Sequence, residues 1–308
     1  VSGTAPRDPR LPDPRGWSPS WTIRASVGVH ALASAVAIVQ PASWPWSLGA
    51  VAANHAVLFA AGMVPRSRLL GPNLVRLPDE AAARGEVALT FDDGPDPDVT
   101  PRVLDLLDAH GARASFFCVG RDAAAHPAIV RDIVRRGHSV ENHTQTHPYS
   151  FAAHPPAALR RQVAQCQAAL EAAAGRTPRF FRAPIGLRSP LLEPVLAGMG
   201  LTLASWSRRG LDTLQRDPAR VARRLIGGLQ AGDIVLLHDG SSARTQGGTP
   251  VVLAVLPGLL DCLAQRGLRA VSLPAALDAP PLPAAAEHGL IRGLGEGTGL
   301  LWDGTVAP

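Results

Sequence analysis

From residue 25 to residue 65 the chain carries no charged side chain. That length accommodates two membrane-crossing helices of about 17–20 residues each. The run divides at "PASWPW", where Pro41 and Pro45 are expected to interrupt helix and Trp44 and Trp46 suit a membrane interface. The pattern predicts a helical hairpin over residues 25–40 and 47–64. A signal peptide and a pair of buried helices are the alternatives, and the second apolar run directly after the first argues against simple cleavage. Arginines flank both ends: Arg7, Arg10, Arg15 and Arg24 before, Arg66 and Arg68 after. They point to a bacterial-type inner or plasma membrane, with the side occupied by the rest of the chain left open. His30, Asn54 and His55 within the run read as interfacial or helix-packing groups.

Beyond a Pro- and Arg-containing linker at residues 65–84, the pattern changes. Short apolar runs, "EVALTF", "ARASFFCVG", "HSVEN", "RFFRAP", "LTLASW", "DIVLLH" and "LRAVSL", alternate with segments whose apolar residues recur every three or four positions. Thr100 as N-cap and Pro101 in the first turn mark one helix start. Gly111, Gly137, Gly200, Gly232 and Gly267 each stand where a left-handed cap would end a helix just before a strand. Repeated strand–helix units with continuous apolar strands predict a parallel sheet covered by helices, here a deformed (β/α) barrel of about seven strands over residues 85–278. Residues 1–24 form a basic segment, and residues 279–308 have the Pro/Gly content of a poorly ordered tail.

Composition changes this picture little. The formal net charge is +5, and all 30 basic residues are arginine. Those arginines are dispersed and aromatics make up only 5% of the chain, which argues against a nucleic-acid partner. No protein partner is evident. Cys118, Cys166 and Cys262 are widely spaced and odd in number, so they form neither a disulfide framework nor a zinc knuckle.

The polar exceptions are more telling. Asp92 and Asp93 end the first strand, His143 and His147 follow the third, Arg182 ends "FFR", Trp206 ends the next strand, and His238 ends "DIVLLH". In a βα barrel these strand ends share one face. Two imidazoles four residues apart plus one carboxylate form a common ligand set for a catalytic divalent metal, zinc first among them.

In this order, "TFDDGP", "NHTQTH", "RAPIG", "SWSRRGLD" and "LLH" resemble the motifs of the NodB-type polysaccharide deacetylases, carbohydrate esterase family 4, over residues 85–278. The resemblance implies Asp92 as catalytic base and Asp93, His143 and His147 as metal ligands. It further implies Thr144 as support of the histidine loop, Arg182 as the arginine orienting the base, His238 as the acid and Asp212 as the carboxylate tuning it. Leu236 would wall the acetyl pocket, and a backbone N–H near Ile185 would meet the oxyanion. Two positions depart from the family pattern: Ile185 replaces an aromatic and Thr213 a tryptophan, which alters the groove walls.

The activity implied is metal-dependent removal of an N-acyl group from an amino sugar. The alternatives are hydrolysis of another C–N bond, such as a cyclic amide, and a non-catalytic carbohydrate-binding relic. Relics typically lose a base, ligand or acid, and this chain keeps all of them. An anchor joined by a short linker suits a substrate that is itself in the membrane, such as an amino sugar on a polyprenyl phosphate. Arg188, Arg208 and Arg209 are the candidates for gripping that phosphate.

Overall fold

The computed structural model describes residues 17–280. Arg7, Arg10 and Arg15 and nearly all of the expected C-terminal tail lie outside the described residues.

The apolar run forms two helices, α1 (Trp21–Val39) and α2 (Trp44–Met63), joined by a single 3₁₀ turn, Pro41–Ser43. Only Pro41 interrupts helix. Pro45 sits in the first turn of α2, where no intrahelical N–H is required, so α2 begins three residues earlier than the pattern predicts. Of the residues in each apolar stretch 17% are buried, so neither helix is the core of a soluble domain. Between the helices Asn54 Nδ2 donates to Ser26 Oγ at 2.8 Å, and the Nε2 atoms of His30 and His55 meet at 3.2 Å.

Residues 65–84 do not behave as a free linker. Leu70, Leu74 and Leu77 are buried, Leu74 bridges to Ala204, and Arg76 pairs with Asp233 at 2.5 Å. Three leucines spaced through the segment bury too much apolar surface for it to remain a solvated coil.

The sheet comprises β1 (Glu86–Asp92), β2 (Ser115–Cys118), β3 (Ser139–Asn142), β4 (Phe180–Phe181), β5 (Thr202–Leu203), β6 (Arg208–Arg209), β7 (Ile234–His238) and β8 (Arg269–Val271). Every pairing is parallel, in the order β5-β4-β3-β2-β1-β7-β6 with β8 on the start of β1. Four residues separate β5 from β6, so one bent path pairs with β4 at its start and with β7 at its end. Counted as one strand, it gives the expected seven and curls the sheet into a deformed barrel.

Strand periodicity sorts the core into two layers. Val87, Leu89, Phe91, Phe116, Val235 and Leu237 face outward onto helices that contribute Leu104, Leu107, Leu256 and Leu259. Ala88, Phe117, Phe180, Ile234 and Leu236 face inward and meet Trp206 and Leu74. With both faces covered, all of β1 is buried, as a parallel strand requires. The five junction glycines all take positive φ, from 61° to 84°. Thr100 departs from its expected role as a cap. Its hydroxyl donates to Asp239 Oδ2 at 2.6 Å, and Asp96 instead accepts from the backbone of Asp98 and Val99.

Candidate active site

Alternation along β1 carries Asp92 to the inner face at the C-terminal end of the strand, in register with His238 on β7. The two residues proposed as base and acid therefore stand on neighbouring strands over one floor of Thr90 and Leu236. Arg182, one residue beyond β4, is 1% exposed and donates to Asp92 Oδ1 at 2.6 Å and Thr90 Oγ1 at 2.8 Å. Its remaining donors reach the carbonyls of Ala204 and Ser205, both at 3.0 Å, and its plane stacks over Phe117 at 4.0 Å. Burial weighs against this guanidinium's charge and lowers its pKa, with Asp92 as the opposing partner. A planar five-donor fork satisfies all four acceptors together, and an ammonium could not.

His143 and His147 do not share a helix. They lie in a tight loop in which Thr144 and His147 have φ of 67° and 48°. Thr144 Oγ1 accepts from the His147 N–H at 3.0 Å, and Asn142 Oδ1 accepts from the Thr144 N–H at 3.0 Å. His143 Nδ1 faces the Arg182 carbonyl at 2.9 Å, which makes that nitrogen the donor and turns the Nε2 lone pair inward. Asp93 Oδ1 lies 3.2 Å from His143 Nε2 and 3.3 Å from His147 Nε2, buried and without a hydrogen bond of its own. One ligand atom from each of the three residues falls within 4.8 Å of the others. A buried orphan acceptor facing two imidazole nitrogens fits a divalent cation. Burial opposes the Asp93 charge, yet His143, His238 and His147 outweigh it and hold the carboxyl below the ordinary carboxylate range. Burial likewise opposes protonation of His143, but Asp92 and Asp93 prevail and raise it. At His147, burial and the charge on His143 lower it.

His238 Nδ1 meets Asp212 Oδ1 at 2.9 Å, and the His238 backbone N–H donates to Asp212 Oδ2 at 2.8 Å. Burial alone would push the imidazolium down. The bond to Asp212, with the charges on Asp212, Asp92 and Asp93, outweighs it and raises His238 to about 8.

Among the described residues, the non-glycine positions with positive φ are Asp93, Thr144, His147, Ile185 and Leu211. Each is one of the candidate residues or next to one. Such conformations cost on the order of 1–3 kcal/mol each and persist only where the surroundings impose them.

The remaining candidates divide. Trp206 is buried with its ring 5.8 Å from the Arg182 guanidinium, and it packs where a side chain at Gly186 would sit. Leu236 lines the same floor, and Ile185 stands 51% exposed at the rim. Arg209 pairs across from Leu236 on the inner face, 5.5 Å from the Trp206 ring, with Nε buried and unpartnered. Arg188 and Arg208 are corrections. Arg188 is 4% exposed and spends its guanidinium on the carbonyls of Ser67, Gly71 and Pro72. Arg208 turns to Asp233, Gly227 and Gly228 near the opposite end of β7. Neither reaches the groove.

Sequence reasoning missed Thr90, which accepts from Arg182, and Ser241, whose hydroxyl donates to Asp93 Oδ2. The first was signalled by alternation, two residues before Asp92. The second lies three residues after His238 on a loop with no motif of its own. Tyr149 was also missed; its ring meets His147 edge-on at 5.6 Å.

The chain resembles known deacetylases in sequence and in fold. The family model described as polysaccharide deacetylase matches residues 79–204. A chitooligosaccharide deacetylase from Bradyrhizobium sp. is 34% identical over 195 residues, covering 61% of this chain and 89% of that protein. A peptidoglycan-N-acetylglucosamine deacetylase from Bacillus cereus is 32% identical over 194 residues, covering 62% of this chain and 68% of that protein. The family 4 carbohydrate esterase from Streptomyces lividans, solved in complex with acetate, superposes with a TM-score of 0.55 at 33% identity, covering 60% of this chain and 91% of that one. With a relative above 30% identity matched over nearly its whole length, the chain belongs to the polysaccharide deacetylase family, carbohydrate esterase family 4.

Proposed function

We propose that the protein is a zinc-dependent amidohydrolase that removes the acetyl group from an N-acetylated amino sugar, presented on a lipid carrier in the membrane that holds the α1–α2 hairpin. The observation that carries this reading is the completeness of the site. A buried Asp92–Arg182 pair and a buried His238–Asp212 pair flank one Asp93–His143–His147 cluster.

Asp93, His143 and His147 would hold the cation. When bound, the metal supplies Lewis acidity, acidifying water and polarising the acyl carbonyl. Asp92, kept from rotating by Arg182, accepts the proton of the attacking water. A new C–O bond forms, the carbonyl π electrons move onto oxygen, and the backbone N–H of Ile185 itself donates to that oxygen, because Pro184 has no N–H and the Gly186 N–H is spent on the Ala183 carbonyl. His238, charged and aligned by Asp212, delivers its proton to the amide nitrogen as the C–N bond breaks. The products are a free amine and a carboxylic acid. Trp206 and Leu236 close the small apolar pocket for the acetyl methyl, and Arg209 is the remaining candidate for a phosphate on the carrier.

The test uses the purified full chain in detergent. Metal content should approach one zinc per chain, and acetate should be released from N-acetylglucosamine oligomers or from a polyprenyl-phosphate-linked N-acetylated sugar. Release that stops with a chelator and returns with zinc supports the reading. Stoichiometric zinc without acetate release from either substrate refutes it.

A further inference from the structure

Outside the α1–α2 hairpin, the large hydrophobic side chains that stand exposed among the described residues are Trp17, Val64, Leu69, Tyr149, Ile185, Leu191 and Leu214, between 38% and 78% accessible. Isolated surface hydrophobics are ordinary, but they scatter. These do not. Tyr149 follows β3, Ile185 and Leu191 follow β4, and Leu214 follows β6, all in loops at the C-terminal strand ends where the candidate site opens. Trp17 lies just before α1, and Val64 and Leu69 lie on the stretch just after α2. The outer helices and the N-terminal face contribute none of them.

The hairpin joins the barrel at that same rim. The Gly62 carbonyl at the end of α2 accepts from the Arg188 N–H at 3.1 Å, and a side chain at Gly62 would collide with the Arg188 carbonyl. Arg188 lies three residues beyond Ile185, and its guanidinium closes over Ser67 O at 3.0 Å and Pro72 O at 3.3 Å. At the other helix, Ser20 Oγ donates to Leu69 O at 2.7 Å. Both feet of the hairpin are therefore docked beside the loop that carries Ile185.

The hairpin also sets the level of a bilayer. The 19 residues of α1 span about 28 Å, close to the roughly 30 Å thickness of a hydrocarbon core. Trp21 stands exposed at the barrel end, and Trp44 and Trp46 at the turn, where interfacial indoles belong. The near interface then passes through the base of the hairpin, at the height of Leu69 and the Arg188 loop.

We propose that the rim of the catalytic groove is a membrane-docking surface, with Tyr149, Ile185, Leu191 and Leu214 seated in the headgroup layer of the bilayer that holds the hairpin. This rests on reading the hairpin as membrane-embedded, and it deepens the lipid-linked reading of the substrate. A groove held mouth-down on the headgroups receives a sugar attached to a lipid without extracting it.

The experiment keeps the full chain, in a Cys262→Ser background, in vesicles of phosphatidylethanolamine and phosphatidylglycerol with brominated acyl chains. A bimane label is placed by Leu191→Cys, Leu214→Cys, Val36→Cys in the hairpin, or Gln265→Cys at the opposite end of the barrel. All four side chains are accessible enough to be labelled without opening the core. Residues seated about 5–10 Å into the interface should lose roughly half their fluorescence to the bromines, so Leu191, Leu214 and Val36 are quenched and Gln265 is not. Quenching at Val36 alone overturns the docked rim while leaving the anchored hairpin intact. No quenching at Val36 overturns both.

Discussion

Replacing Asp212 by Asn isolates the control of the acid. In the wild-type site His238 stands at about 8 against an ordinary 6.5, although burial pulls the other way. That shift corresponds to about 2 kcal/mol in favour of the imidazolium. Asn keeps the size of Asp212 and can still accept one bond, but it removes the strongest partner opposing burial and leaves only the charges on Asp92 and Asp93 against it, so His238 should fall toward 6.5. An acid works only while protonated, so activity is lost as pH rises through its pKa. At pH 7.5 the protonated fraction should drop from about three quarters toward about one tenth, whereas at pH 6 it should drop only from nearly all toward about three quarters. The Asp212→Asn variant should therefore lose up to about eightfold in kcat at pH 7.5 from protonation alone, with a much smaller loss at pH 6. The assay is acetate release across that range, with metal content measured at each pH. Parallel profiles, lowered by one factor at every pH, would refute the assignment of His238 as the acid tuned by Asp212.

Arg182→Lys should cost about 3–5 kcal/mol in a denaturant titration and most of the turnover, because an ammonium cannot serve Asp92, Thr90, Ala204 and Ser205 together; near-wild-type stability would contradict this. Thr144→Val removes the acceptor for the His147 N–H and should weaken metal binding about 10- to 100-fold in a chelator competition, with the fold retained by circular dichroism. Leu104→Ala, in the fully buried outer layer, should lower stability by about 2–5 kcal/mol while metal stoichiometry is unchanged; loss of metal there would mean the site and core are coupled in a way the structure does not contain.

Strand ends could be read from the chain because a parallel strand is continuously apolar and a single polar residue at its end stands out, as Asp92 and His238 do. Alternation then put Asp92 and His238 on the same face, and the register of β1 on β7 brings them side by side. The direction of the arginines could not be read in that way. Arg208 and Arg209 are adjacent, and a strand points one to Asp233 and the other to Trp206; which is which depends on where the bent path pairs with β7. Arg188 looked available because it follows a motif loop, but its guanidinium is taken up by residues 67–72, distant in sequence and classed by composition as linker. Thr100 has the chemistry of a cap and the position of one, yet a buried Asp239 competes for its hydroxyl. In each case the missing information was a long-range partner, which periodicity does not encode.

The division of labour between the two adjacent aspartates is the centre of the account. Asp93 Oδ1 faces the two imidazoles, while Asp92 Oδ1 is committed to Arg182. The direct measurement is zinc stoichiometry and acetate release on Asp92→Asn and Asp93→Asn, purified side by side as full chains. Asp92→Asn should retain close to stoichiometric zinc and lose nearly all turnover, and Asp93→Asn should lose both. A metal-free Asp92→Asn, or an Asp93→Asn that keeps zinc and activity, would contradict the assignment.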